Sequence, residues 1–182
     1  MPKSIEDLNR LLSDEPKPTS QEEENKKARA NAMRLLEHMD RTERGLYEKL
    51  KTAEFSEHAI ADAVAYVKSF CYINDLRYAE AYLRTRVESK SRQQLIMELM
   101  RKGVDRHTID LAWDEVVQLE EPDERALIRD FVLKKADPDT ALDVKEMRRL
   151  YGQLQRKGFK GGDISSVLNE LNITCDYSAS FE

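Results

Sequence analysis

Residues 95–109 read Leu-Ile-Met-Glu-Leu-Met-Arg-Lys-Gly-Val-Asp-Arg-His-Thr-Ile, and the reading of this stretch decides the fold. Leu95 and Leu99 share one face of a helix, because residues four apart stack above one another. Lys102 then puts a cation in the last turn, and Gly103 supplies a residue able to adopt the left-handed conformation just beyond it. Val104 follows as the apolar residue that folds back. Asp105 is a good N-cap for the helix that carries Ile109. The stretch is a helix, a tight turn and a second helix.

The same spacing recurs on both sides. Leu46, Leu50, Phe55 and Ile60 match Leu95, Leu99, Val104 and Ile109, and these match Leu150, Leu154, Phe159 and Ile164, with intervals of four, five and five each time. Val64, Trp113 and Leu168 each follow four residues beyond the isoleucine, and core packing is the expected role of Trp113. Thr42 and Ser91 stand at N-cap positions, Ser91 with Gln94 as a capping box, and Ser56 starts the next helix as Asp105 does. The third copy departs, with Glu146 and Lys160 at the two cap positions. Its middle helix is therefore expected to begin earlier, at an Asp143/Glu146 box, and its last helix later, after Gly161–Gly162. A further helix precedes each pair, at about residues 24–39, 75–89 and 122–135.

The expected fold is all-α, three tandem three-helix units at 25–73, 74–121 and 122–173 in an elongated, curved array. A flexible acidic tail at 1–24 precedes them, where Ile5, Leu8, Leu11 and Leu12 suggest a short amphipathic turn and Ser20 with Glu23 a capping box. A C-terminal tail at 174–182 follows. A unit of about 50 residues buries little apolar surface alone, so neighbouring units are expected to share apolar faces. Six glycines, five prolines and no Asn-Gly or Asp-Gly signal argue for essentially no sheet.

Composition narrows the function. Charged residues make up 36% of the 182 and hydrophobic ones 40%, which suits a thin core under a charged surface. The net charge of −5 argues against a generic nucleic-acid binder. Cys71 and Cys175 belong to no Cys/His cluster, and His38, His58 and His107 lie on separate helices, so neither a disulfide framework nor a metal or other cofactor site is expected. Acids interrupt the only apolar stretch of the N-terminus, and no run approaches a membrane span, so a soluble intracellular protein is expected; the sparse cysteines suit the reducing cytoplasm, and a monomer is expected. No phosphate-cradling glycine loop or nucleophile elbow occurs, and nothing calls for paired-carboxylate catalysis, so no enzymatic activity is expected.

The charge is unevenly distributed. Between 145 and 160, Lys145, Arg148, Arg149, Arg156, Lys157 and Lys160 stand against Glu146 alone, a net excess of five. At about 100° per residue, Lys145, Arg149 and Arg156 form a ridge opposite Met147, Leu150, Tyr151 and Leu154. Between 84 and 106, Arg84, Arg86, Lys90, Arg92, Arg101, Lys102 and Arg106 outnumber Glu88, Glu98 and Asp105. A charge run is usually a solvated face, but two concentrations in successive units point to an anionic partner surface. Candidate contacts are Arg84, Arg92, Arg101, Lys102, Lys145, Arg148, Arg149, Arg156 and Lys157. Arg86, beside Tyr82 and Leu83, is expected to serve a structural ion pair.

Residues 72–86 read Tyr-Ile-Asn-Asp-Leu-Arg-Tyr-Ala-Glu-Ala-Tyr-Leu-Arg-Thr-Arg. Asn74 caps this helix, and Tyr78, Ala79, Tyr82 and Leu83 form an apolar face with ordinary core packing as its first explanation. The segment resembles the RecX pattern Tyr-x-Asp/Asn-Asp-x-Arg-Phe/Tyr-Ala followed by Tyr and a closing Arg. Glu98-Leu-Met-Arg-Lys-Gly-Val104 is similar to that family's Glu-Leu-x-x-Lys-Gly-Ile, and Gly152-Gln-Leu-Gln-Arg-Lys-Gly-Phe159 with Asp163-Ile164 to its third-unit Arg/Lys-Gly-Phe element. The similarity covers about residues 28–172 in order. Two departures stand out: a glycine common in the family is replaced around Ser91, and Ala53-Glu54 occupies the place where Lys-Gly is usual in the first unit.

What the resemblance implies is a regulator of the RecA recombinase. RecX proteins bind RecA and the RecA–DNA filament, lie along its groove and restrain recombinase, ATPase and coprotease activities in homologous recombination, DNA repair and the SOS response. Weak direct contact with DNA is compatible with that role. The alternatives are a helix-turn-helix-like protein that reads DNA directly and a helical adaptor with no nucleic-acid role.

Overall fold

The computed structural model of the chain describes residues 20–118 and 122–176, and these are overwhelmingly helical. The first three helices are α1 (Ser20–His38), α2 (Glu43–Thr52) and α3 (Glu57–Ser69). The next three are α4 (Asp75–Arg84), α5 (Arg92–Arg101) and α6 (Arg106–Val117). The last three are α7 (Glu124–Leu133), α8 (Val144–Arg156) and α9 (Gly161–Glu170). The chain divides into two compact bodies at Ile73/Asn74, with Thr42–Arg44 at the head of α2 belonging to the second. No described helix is long and apolar enough to cross a membrane.

Each set of three helices has its own apolar cluster, in which the outer two helices pack together over the middle one. Eleven of the twelve residues matched by the four-five-five spacing are buried, Phe55 being the partly exposed one. Trp113 is core, as its repeat position demands. Helix starts follow the side chains that can bond the free N–H groups of a first turn. Ser56, Asn74, Ser91, Asp105, Asp123 and Asp143 each accept a backbone N–H three residues on. In α8 the Glu146 carboxylate also turns back to the Asp143 N–H and completes a capping box.

Several expectations are corrected. α1 begins at Ser20, so residues 20–24 are helical and Ser20 lies inside the helix; the expected turn at Ile5–Leu12 falls outside the described residues. The amide of Gln94 donates to Glu98 and does not complete a box with Ser91. α9 starts directly after Lys160 with both glycines in its first turn; Gly161 leaves room for Tyr151, whose hydroxyl donates to the Gly161 carbonyl at 3.2 Å and would stand 2.7 Å from an added Cβ. A small sheet is present after all. β1 (Ala141–Asp143) and β2 (Thr174–Asp176) pair in parallel, Leu142 opposite Cys175, so residues 174–176 belong to the third set rather than to a tail. Parallel strands require a crossover, and α8 and α9 provide it. β1 runs straight into the cap of α8 and fixes where that helix begins.

Within the second body one polar contact occurs twice. The Ser91 hydroxyl accepts from the Gln94 N–H at 3.2 Å and donates to the carbonyl of Lys157 at 2.5 Å. Thr42 Oγ1 donates in the same way to the carbonyl of Lys102 at 2.6 Å. In each case a second bond lies beside it: the Glu43 N–H donates to Asp75, and the Arg92 N–H to Glu124. Both hydroxyls are buried, so each carbonyl must be approached closely. The glycine that follows makes this possible. Gly103 and Gly158 have φ of +91° and +85°, and an added Cβ would stand 2.4 Å from the Arg44 Cβ and 2.8 Å from the Ser91 hydroxyl respectively.

Glu54, at the equivalent turn after α2, adopts the same left-handed conformation with φ of +62° and is exposed. Nothing there demands the absence of a side chain, which explains why Ala53-Glu54 can stand in place of Lys-Gly. Gly158→Ala should therefore lose more than the roughly 1–2 kcal/mol of a left-handed alanine, because the Ser91 contact is lost with it. Glu54→Ala should fall within about 0.5 kcal/mol of the parent. Urea unfolding of the two variants checks this. Equal losses would mean that backbone conformation alone selects the glycine.

Candidate functional site

The nine cations expected to meet a partner separate into two groups. In the second body's first half, local acids engage most of the positive charge. Arg84 pairs with Glu80 at 3.4 Å. Lys90 reaches Glu98 at 2.7 Å. Arg106 contacts Asp110 at 2.8 Å, and Arg92 lies 3.9 Å from the same carboxylate with its guanidinium over the Trp113 ring at 4.9 Å. Lys102 lies over the Tyr82 ring. Arg86 forms no ion pair among the described residues; it stacks on Tyr82 at 4.0 Å and donates to Thr85 at 2.6 Å, which replaces the expected ion pair. Only Arg101, of the candidates here, is exposed without a described partner.

The third set is different. Lys145, Arg148, Arg149 and Arg156 are exposed on α8, and none has a hydrogen bond or ion pair among the described residues. Leu150 and Leu154 are buried on the opposite side, with Met147 and Tyr151 half-buried at the flanks. The capping box holds the Glu146 carboxylate at the Asp143 N–H, away from the ridge. Lys157 lies beyond the ridge, with Nζ over the Phe131 ring at 5.3 Å and its carbonyl held by Ser91. The arrangement is an array of positive charges on a rigid helix, open to an anionic surface. The sequence reading missed Gly152. It lies between Arg148 and Arg156, four residues from each, half-buried on the helix side that carries the exposed cations.

Tyr82 and Glu98 form the other polar centre. The Tyr82 hydroxyl donates to Glu98 at 2.6 Å, and Lys90 and Gln94 donate to the same carboxylate. Burial pushes the Glu98 carboxyl up, but the hydrogen bonds from Lys90, Tyr82 and Gln94 outweigh it and hold the group below its ordinary range. Burial, with the Glu98 hydrogen bond, raises the Tyr82 phenol to about 12. Tyr78 stacks alongside at 6.3 Å. This centre braces the core and offers no group free for chemistry.

The fold and the ridge together define a protein of tandem three-helix repeats whose α8 presents exposed cations with no ion-pair partner among the described residues. Family models described as the first and second three-helix domains of RecX match residues 28–66 and 74–112. Over 152 residues the chain is 33% identical to a regulatory protein RecX of Caldanaerobacter subterraneus, spanning 83% of this chain and 72% of that protein. It is 36% identical over 146 residues to a regulatory protein RecX of Streptomyces coelicolor, spanning 79% and 76% respectively. A crystal structure of RecX from Lactobacillus salivarius matches the fold with a TM-score of 0.65 at 22% identity, covering 82% of this chain and 97% of that one. The chain belongs to the RecX family of regulatory proteins.

The shifted phenol gives a pH prediction. Because the folded state holds the Tyr82 proton more tightly than the unfolded state, its contribution is fully present below about pH 10 and is lost as pH rises towards 12. Tyr82→Phe should flatten the fall in unfolding free energy across that window, and ultraviolet titration should lose its most alkaline phenol. An unchanged alkaline profile would show that Tyr82 titrates normally.

Proposed function

We propose that this chain binds RecA and the RecA–DNA filament and restrains recombinase, ATPase and coprotease activity, acting in the cytoplasm as a monomer and without catalysis. The units at 25–73, 74–121 and 122–173 serve as the platform and α8 as its main contact. The observation that carries this reading is the unpaired cation face of Lys145, Arg148, Arg149 and Arg156 in a chain of net charge −5. Stability does not require such a face, since exposed charges contribute little to folding. Association with an anionic assembly does use it, because complementary charge raises the rate of encounter. Arg101 is a secondary contact, and Arg84, Arg92, Lys102 and Lys157 contribute at its edges.

Reversal of Lys145, Arg149 and Arg156 to Glu tests the reading. Thermal unfolding should change little, as expected of exposed positions. Affinity for RecA–single-stranded DNA filaments should fall at least tenfold, and inhibition of their ATP hydrolysis should weaken in parallel. A matched reversal of the exposed Lys26, Lys27 and Arg34 on α1 should leave both intact. Equal inhibition by the parent and a folded ridge variant would remove α8 as the contact. Tight, sequence-selective binding to naked duplex at physiological salt would instead favour a direct DNA reader.

A further inference from the structure

We infer that the exposed face of α8 is a docking surface for a phosphodiester backbone, and that Gly152 is there to let that backbone lie against the helix itself. The inference rests on the regulator reading above and goes further, by naming the chemistry that touches the ridge.

Three features of α8 are locally unfavourable, and all three lie on one face. Gly152 occupies the helix interior, where glycine is less favourable than alanine by roughly 0.5–1 kcal/mol. No packing requires it: an added Cβ would meet only the Arg156 Nη1 at 3.6 Å, an ordinary contact, and its φ is not in the left-handed region. Gly103, Gly158 and Gly161 all have atoms within 3 Å of where a Cβ would stand, and Gly162, which has none within 4 Å, lies in the first turn of α9 rather than in a helix interior. Lys145 lies in the first turn of α8, where the helix dipole disfavours cations. Lys145 with Arg148 and with Arg149 places like charges three and four residues apart, which also destabilises a helix. Sequence choices that oppose the local fold are expected where a site has another use.

Geometry puts the glycine at the centre of the charges. Lys145, Arg148, Arg149 and Arg156 lie seven, four and three residues before Gly152 and four after it, all within one face of a 3.6-residue helix. The cations rise about 16 Å along the axis at 1.5 Å per residue, and between them the half-buried Gly152 has no side chain, with only the mobile end of Arg156 over it. The face carries no large apolar residue: among the described residues the exposed large apolar side chains lie on other elements. A protein partner normally needs buried aromatic or aliphatic anchors at the middle of the contact. Contacts to nucleic acid go mainly to phosphate and sugar through Arg, Lys and backbone groups, and need no such anchor. Three of the four cations are arginines, whose planar fork matches phosphate oxygens. A sugar-phosphate strand crossing α8 at Gly152, with phosphates on the flanking cations, fits the face; an acidic peptide lacks a reason for the glycine.

The test uses the full chain with Gly152→Ala and Gly152→Leu, measured on single-stranded oligodeoxythymidylate, on DNA-free RecA and on the RecA–single-stranded DNA filament. Both variants should keep or raise the Tm, Gly152→Ala by about 2–4 °C for a gain near 1 kcal/mol. Binding should move in the opposite direction. Gly152→Ala should weaken affinity for the oligonucleotide and the filament several-fold and Gly152→Leu tenfold or more, with RecA alone unaffected. The parent's log affinity for the oligonucleotide should fall with log salt at about −0.7 per neutralised phosphate, hence about −3 for four cations. Unchanged affinity of Gly152→Leu for both DNA-containing targets would overturn the inference, as would a loss confined to DNA-free RecA. If the parent binds the oligonucleotide with this dependence on Gly152 but not the filament, the regulator reading fails and the docking surface stands.

Discussion

The hydrogen bond from the Ser91 hydroxyl to the Lys157 carbonyl is the constraint on which the arrangement of the second body depends. It joins the start of one middle helix to the end of the next, across 66 residues of sequence. A buried hydroxyl that caps its own helix and bonds a foreign carbonyl satisfies two polar groups at once, and leaving either unsatisfied would cost on the order of 1–3 kcal/mol. The carbonyl is reachable only because Gly158 has no side chain. One glycine therefore serves both the left-handed turn and the contact, and the orientation of α8 within its body follows from it.

What the body presents is then decided at the other end of α8. β1 and the Asp143/Glu146 box fix the first turn of the helix, so that Leu150 and Leu154 face the core and the cations face outward. The box also withdraws the one acid of the segment from the ridge. Across α4 to α6 the same kind of charge is instead met by Glu80, Glu98 and Asp110. The two basic segments look alike in sequence yet differ in what they leave available to a partner.

That difference marks how far the sequence could be read. The four-five-five spacing located the core because buried apolar positions recur with the helical period, and Asn74, Ser91, Asp105 and Asp143 were legible as caps because capping is local. The strands were not legible, since two three-residue segments have no alternation to detect. The neutralisation of the second patch was legible only in part: Arg84–Glu80 and Arg106–Asp110 are four residues apart on single helices, but Glu98 and Asp110 become neighbours of Lys90 and Arg92 only after packing. The pairing of Ser91 with Lys157 was invisible for the same reason, although its signature, Lys-Gly in the second and third units and Ala53-Glu54 in the first, was on the page. Gly152 carries a signal in the sequence itself: a glycine four residues from Arg148 and from Arg156, on the polar side of an amphipathic helix, has no capping role.

The central claim is that α8 is the face that meets the filament. It is tested most directly by amine-reactive labelling of the lysines, read by mass spectrometry, with the chain free and saturated with RecA–single-stranded DNA filaments. Lys145, at the head of the ridge, should become several-fold less reactive in the complex, while Lys26 and Lys27 on α1 label at their free rates. Lys145 labelling as fast in the saturated complex as in the free chain would contradict the account.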